Sequence, residues 1–176
     1  TPWTLPSNLA LALGPDIEYV KVRDGDESYI MAAERLGDYY RESSEYEVVE
    51  RLSGRDLEGL SYQPLFPYFS DLAEKGAFRT FLGDFVSTEE GTGIVHIAPG
   101  FGEDDYQLLA STDIPTVCPV DAEGQFTEEV GDYAGLFVKE ADAKIIEDLK
   151  AQRKLVKKDS YLHNYPHCWR CSSPLI

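Results

Sequence analysis

Apolar and polar positions change period several times along the chain, and each change marks an element. Residues 17–22 place Ile17, Tyr19, Val20 and Val22 in near-alternation, Asp24-Gly25-Asp26 interrupts it, and apolar residues resume over 29–33. A period near two broken by a Gly-containing polar pair predicts a β-hairpin turning after Arg23. Residues 34–43 are expected to form a short helix and 46–52 a strand. Pro64, Pro67, Tyr62, Phe66, Tyr68 and Phe69 predict an irregular packed loop. Strands follow at 78–82 and 93–98. A helix is expected over 103–112, with Asp104 and Asp105 in the first turn, where the helix dipole favours negative charge. A strand at 116–120 would lead into a turn at Asp121-Ala122-Glu123-Gly124. The last helix is expected over 139–152, where Ala141, Ile145 and Leu149 share one face at a spacing of four.

Strands and helices in no strict βαβ rhythm indicate an α+β fold with a mainly antiparallel, barrel-like sheet core flanked by short helices. The length of 176 residues suits one domain, 1–176. Apolar residues make up 43% and aromatics 12%, too much for a disordered chain. The longest apolar run, 9–13, is far too short to span a membrane. An opening Thr1-Pro2-Trp3, with no initiator Met and no basic-then-apolar leader, is expected of an internal segment of a longer polypeptide. Three cysteines argue against a disulfide framework and for a reducing, cytoplasmic setting. The formal charge of −16 argues against a free-standing nucleic-acid binder, whose affinity comes mostly from neutralising phosphates. An RNA substrate would have to be gripped elsewhere and touch this chain with one end.

Two segments hold candidate chemistry. In Gly91-Thr92-Gly93-Ile94-Val95-His96-Ile97-Ala98-Pro99-Gly100-Phe101-Gly102-Glu103-Asp104-Asp105, glycines flank Thr92 and allow a close backbone approach. A strand carries His96, Pro99 stops it, and a helix opens on carboxylates. Asp105 can anchor a cationic group such as an α-ammonium, or it can simply cap the helix beside Asp104. His96 can serve a site or be a satisfied strand histidine. In Thr1-Pro2-Trp3-Thr4-Leu5-Pro6-Ser7-Asn8, two prolines are expected to block a helix and leave extended backbone. The Thr1, Thr4, Ser7 and Asn8 side chains then either line a polar site or face water.

Residues 1–10 closely resemble the threonine-rich motif of isoleucyl-tRNA synthetase editing domains, within the class I aminoacyl-tRNA synthetases. Gly91 to Pro99 with Gly102-Glu103-Asp104-Asp105-Tyr106 resembles their second editing motif. His163-Asn164-Tyr165-Pro166-His167-Cys168-Trp169-Arg170-Cys171 resembles the segment returning to the catalytic core, so 160–176 is expected to be that return segment. Valyl and leucyl relatives share the Gly-Thr-Gly frame and the helix-start aspartate. They differ at Pro2-Trp3-Thr4 and lack a histidine at position 96, which makes the resemblance specific. The family motif has further threonines ahead of Thr1.

The resemblance implies a hydrolase that removes valine misattached to the isoleucine tRNA. One methylene is worth only about 1–3 kcal/mol to an apolar pocket, isoleucine against valine being the standard illustration, so a second site must reject the error. By motif, Asp105 holds the α-ammonium and His96 walls the side chain. Thr1, Thr4 and Asn8, with Trp3 beside them, position the ester, the terminal ribose or the attacking water. Asp105, Thr1 and Asn8 are the expected catalytic set, with no metal. Valyl-adenylate is a second expected substrate; partners are the tRNA 3′ end and the rest of the parent synthetase, with no membrane. No cofactor is expected in this chain, ATP and Mg belonging to the parent. Cys168 and Cys171 have the spacing of half a zinc site, and Cys118 reads as a buried small apolar residue in its strand. Two competing readings remain: a non-catalytic structural or tRNA-end-binding insert, inactive when excised, and a small zinc module.

Overall fold

A computed structural model describes residues 1–159 and 169–172. Contacts divide the chain into two compact units, Ser7–Val117 and a second made of Thr1–Pro6 with Cys118–Ile176.

The Ser7–Val117 unit contains two three-stranded sheets. The apolar run at 9–13 is the source of strand β1, Ala10–Leu13, the centre of the first sheet. Four consecutive apolar residues mark a strand covered on both faces, and Ala10, Ala12 and Leu13 are fully or almost fully buried. The hairpin forms as expected from β2, Glu18–Asp24, and β3, Glu27–Ala32, turning at Gly25 with φ +58°. A short helix α1, Leu36–Tyr39, lies between single 3-10 turns at Ala33–Arg35 and Ser43–Glu45. The continuous helix expected over 34–43 does not form. The Glu45 carboxylate takes the backbone N–H groups of Arg41 and Glu42, at 2.7 and 3.0 Å, which a helix would have spent on its own carbonyls.

Strand β4, Glu47–Ser53, completes the antiparallel sheet β3-β2-β4. Strands β5, Arg79–Leu82, and β6, Ile94–Ile97, flank β1. β6 is antiparallel to β1, but β5 is parallel to it. The antiparallel expectation therefore holds for one sheet and for half of the other, and no closed barrel is found among the described residues. Leu13, Tyr19, Ala32 and Leu57 form a buried cluster covered by Ile17, Leu52, Leu82 and Ile94, so both sheets contribute to one core. Helix α2, Glu103–Leu109, follows β6.

The strand expected at 116–120 is absent; only an isolated bridge joins Val120 to Phe126. Pro119 removes an N–H donor inside the segment and Pro115 borders it, which disfavours a ladder. Cys118 is accordingly exposed and not buried in a strand.

In the other unit, helix α3, Val138–Ala151, buries Val138, Ala141, Ile145 and Leu149 as the periodicity predicts. Phe126, Val130 and Tyr133 are buried in the same unit. Residues Pro2–Ser7 form a 3-10 turn and not the expected extended segment. Proline's φ near −65° suits a 3-10 turn as well as extended chain, and Pro2 sits where no N–H partner exists anyway.

Candidate functional site

Asn8, His96 and Asp105 all belong to the Ser7–Val117 unit. β1 and β6 pair Leu11 with His96, so these two share one face of the sheet. Leu13, Leu82 and Ile94 lie on that face too and pack into the core, and His96 follows them along the sheet, itself partly buried. Asn8 precedes β1 and is 7% exposed. Its Nδ2 donates to the Ala10 carbonyl at 2.8 Å and to His96 Nδ1 at 3.1 Å, and its Oδ1 accepts the Tyr62 hydroxyl at 2.5 Å. Because a carbonyl oxygen can only face the NH2 side of an amide, Ala10 fixes which way Asn8 points. Both N–H donors are then committed, and what the amide can offer a hydroxyl or water is a lone pair on Oδ1. Burial pushes the His96 imidazole down to about 4, so the ring is neutral at physiological pH.

Asp105 reaches back to the end of the same strand from the first turn of α2. Its Oδ2 accepts the Ala98 N–H at 2.7 Å, and Ala98 follows His96 by two residues, roughly 7 Å in extended chain. The carboxylate thus ties the end of the His96 strand to the first turn of α2, which has no side-chain cap at Gly102. A Cβ on Gly102 would come within 3.0 Å of the Asp105 carboxyl carbon, so this glycine makes room for the carboxylate. Burial raises the Asp105 pKa above the ordinary carboxylate value, and the Ala98 N–H opposes that shift. Asp104, by contrast, is exposed. A half-buried carboxylate with a raised pKa suits capture of a cation, because an arriving ammonium relieves the cost of its charge.

Thr1, Trp3 and Thr4 fall in the other unit. The Thr4 hydroxyl donates to the Thr1 carbonyl at 2.9 Å, closing the 3-10 turn. Trp3 is 4% exposed; its backbone N–H donates to Asp142 Oδ1 at 2.8 Å, and Lys139 lies over its ring at 5.4 Å. Two residues that hold the candidate site residues escape the sequence reading. Asp142, on α3, anchors the threonine-rich segment, and its only sequence signal is a carboxylate beside Ala141 on the buried face. Tyr62, read as part of a packed loop, is bound to Asn8, and nothing in its local sequence points there.

Tyr62 is itself held firmly. Its N–H donates to the Phe78 carbonyl at 2.9 Å, and the two rings meet edge to face at 6.1 Å. Phe78 adopts φ +60°, a backbone conformation a bulky side chain takes only under constraint. Its own N–H donates to Leu9 at 2.7 Å, next to Asn8.

Among the described residues no group of three or more His, Cys, Asp or Glu could hold a metal ion. Cys171 is exposed, and Cys168, His163 and His167 lie outside the described residues. No helix among the described residues is long and apolar enough to cross a membrane.

No protein-family model matches the chain. Relatives do. The whole chain is 56% identical to part of the isoleucine–tRNA ligase of Treponema denticola and 55% identical to part of that of Bdellovibrio bacteriovorus. It spans 17% of the length of each. Among solved structures, the CP1 domain of a leucyl-tRNA synthetase (GlLeuRS) superposes with a TM-score of 0.66 at 15% identity, covering 91% of this chain and 82% of that one. The editing domain of the Plasmodium falciparum (P.falciparum) cytosolic leucyl-tRNA synthetase gives 0.60 at 9% identity, covering 86% and 74%. Matched from end to end by a segment of isoleucine–tRNA ligases, the chain corresponds to that segment and has the fold of the CP1 editing domains of leucyl-tRNA synthetases.

Proposed function

We propose that residues 1–176 act as one editing module that hydrolyses valine misattached to the isoleucine tRNA. The observation that carries this reading is the half-buried Asp105 carboxylate, fixed on Ala98 at the end of the strand that bears His96. Asp105 takes the α-ammonium of the aminoacyl group. His96, neutral and held by Asn8, walls the side chain, and refusal of isoleucine is steric. Water attacks the ester carbonyl, the bond from that carbon to the ribose oxygen breaks, and a proton from the water ends on the ribose. The products are valine and an uncharged tRNA end. Orientation of the ester beside the water supplies most of the rate, as no nucleophile–base pair is needed for so reactive an ester. The second lone pair of Asn8 Oδ1 accepts from the water or the ribose. Thr1, Trp3 and Thr4 are assigned to the ester and ribose from the resemblance alone. The same residues accept valyl-adenylate, which presents the same ammonium and side chain.

The test uses the full synthetase that carries this segment. Wild-type enzyme should clear valyl-tRNA(Ile) and spare isoleucyl-tRNA(Ile). Asp105→Asn keeps an acceptor for Ala98 but loses the charge. Loss of one charge-assisted hydrogen bond, about 1.5–3 kcal/mol, predicts a fall in valyl hydrolysis of about 10- to 150-fold. Equal clearance of both tRNAs, or discrimination unchanged in Asp105→Asn, overturns the assignment. A wild-type enzyme that binds the tRNA end without hydrolysing it would instead favour a non-catalytic insert.

A further inference from the structure

Outside the residues assigned to substrate, one side chain is joined to two of them in sequence. The Tyr62 hydroxyl donates to Asn8 Oδ1, and Asn8 Nδ2 donates onward to His96 Nδ1. We propose that Tyr62 is a positioning residue which, through Asn8, holds His96 as the Nε2–H tautomer, so that the wall of the valine site is an uncharged ring of fixed orientation. This rests on the reading of His96 as that wall.

The argument is one of donors and acceptors. Asn8 has one carbonyl oxygen and two N–H groups. Ala10 O takes one N–H and fixes the amide's sense. The other N–H faces His96 Nδ1, which must then present a lone pair, leaving the ring hydrogen on Nε2. Ala10 O restrains one end of the amide and the Tyr62 hydroxyl the other, where it supplies the almost buried oxygen with a donor. Tyr62 is that donor, and it is a rigid one. Its backbone is tied to Phe78, its ring packs edge-on against the Phe78 ring, and Phe78 is held at a positive φ. Remove the hydroxyl and one of these two restraints is gone, so the amide can rock about its bond to Ala10 and Nδ2 loses its fixed place against His96. The ring can then take a proton on Nδ1, or exchange between tautomers. A change of tautomer reverses which ring nitrogen donates, and so alters the surface offered to the substrate without removing the histidine.

Nitrogen–proton correlation spectra of the histidine rings in the 176-residue chain read the tautomer directly, with His96 identified by the signals lost in His96→Gln. Wild type should give one set of signals with the hydrogen on Nε2. Tyr62→Phe should average or double that set. Asn8→Asp, whose carboxylate only accepts, should move the hydrogen to Nδ1. In the full synthetase, Tyr62→Phe should lower kcat for valyl-tRNA(Ile) by about tenfold with little change in KM, and fluorotyrosine at position 62, which keeps a hydroxyl, should restore it. A hydrogen on Nδ1 in wild type overturns the proposal without any variant, so it stands or falls even if Tyr62→Phe does not fold. An unchanged Nε2–H pattern in folded Tyr62→Phe, or altered tautomers with unaltered kcat, overturns it as well. A wild-type synthetase that hydrolyses neither tRNA would sink the functional reading, while the spectra still decide the tautomer.

Discussion

His96 and Asp105 are both displaced from their ordinary protonation behaviour by burial, in opposite senses. Burial disfavours a charge of either sign, so it lowers the pKa of the imidazole and raises that of the carboxylate. For His96 the consequence for stability has a definite sign. Its folded value is about 4, against about 6.5 in an unfolded chain. Between these values the unfolded chain binds the proton and the folded one does not. The stability is therefore fully present above about pH 6.5 and is lost as pH falls toward 4, by about 3 kcal/mol across the window. His96→Gln removes the titration. Urea unfolding of wild type should lose midpoint between pH 6.5 and 4.5 faster than His96→Gln does; parallel pH profiles would show that the ring is not held neutral. Asp105 works the other way. Its raised pKa means that the folded chain gives up stability as pH rises through it, a cost consistent with a group kept for capturing a cation.

The elements around the site are joined by close backbone approaches, which explains where the sequence could and could not be read. The last helix follows from periodicity, since Val138, Ala141, Ile145 and Leu149 bury one face, while the hairpin and the His96 strand follow from short apolar runs bounded by turn residues. The central strand β1 carries no alternation because both its faces are covered, so its apolar run reads equally well as strand or buried helix. The pairing of β5 parallel to β1 and the Tyr62–Asn8 bond are long-range choices that no local pattern encodes. The assignment of His96, Asp105 and Asn8 to a site comes from the resemblance of their motifs to a family; spacing alone leaves each with a structural alternative. The Gly-Thr-Gly frame shows the same division. Gly91 and Gly93 both have positive φ, +61° and +74°. A Cβ on Gly93 would meet the Ala32 Cβ at 2.6 Å, whereas one on Gly91 meets nothing within 4 Å. Beside it, the Ala32 N–H donates to Thr92 O at 2.8 Å and the buried Tyr19 hydroxyl donates to Gly93 O at 2.6 Å. The close approach that glycines permit here is made by the hairpin. Gly93→Ala should therefore cost about 2–5 kcal/mol, the sum of backbone strain and overpacking, and Gly91→Ala about 1–2 kcal/mol from strain alone. Chemical denaturation of the two variants side by side checks this, and equal costs would remove the Ala32 contact from the explanation.

At the scale of the whole chain, charge decides what the segment can hold. Thirty-two acidic residues stand against sixteen basic ones. Several of those cations already face carboxylates: Arg23 with Glu47, Arg51 with Glu18, Arg55 with Asp16, Arg35 with Asp38, and Lys144 with Asp148. Such exposed pairs contribute little to stability, yet each would have to be broken or shared before its cation met a phosphate. The chain spans 17% of its isoleucine–tRNA ligase relatives, which leaves room for the body of a tRNA to be gripped elsewhere. On the proposed editing role, an acidic segment would not compete for the duplex regions and would admit only a 3′ end delivered to it. Every phosphate a protein neutralises steepens the fall of log K with log salt, by about 0.7 for single strands and 0.9 for duplex. The 176-residue chain should accordingly bind uncharged isoleucine tRNA with a Kd above about 100 μM at physiological salt, the weak end of non-specific association. The slope against log salt should be no steeper than about −2, the mark of two or three phosphates at most. Filter binding or fluorescence anisotropy over a salt series measures both. A Kd near 1 μM at physiological salt, with a steep slope, would require a basic face that the composition does not supply, and would move the grip on the tRNA into this segment.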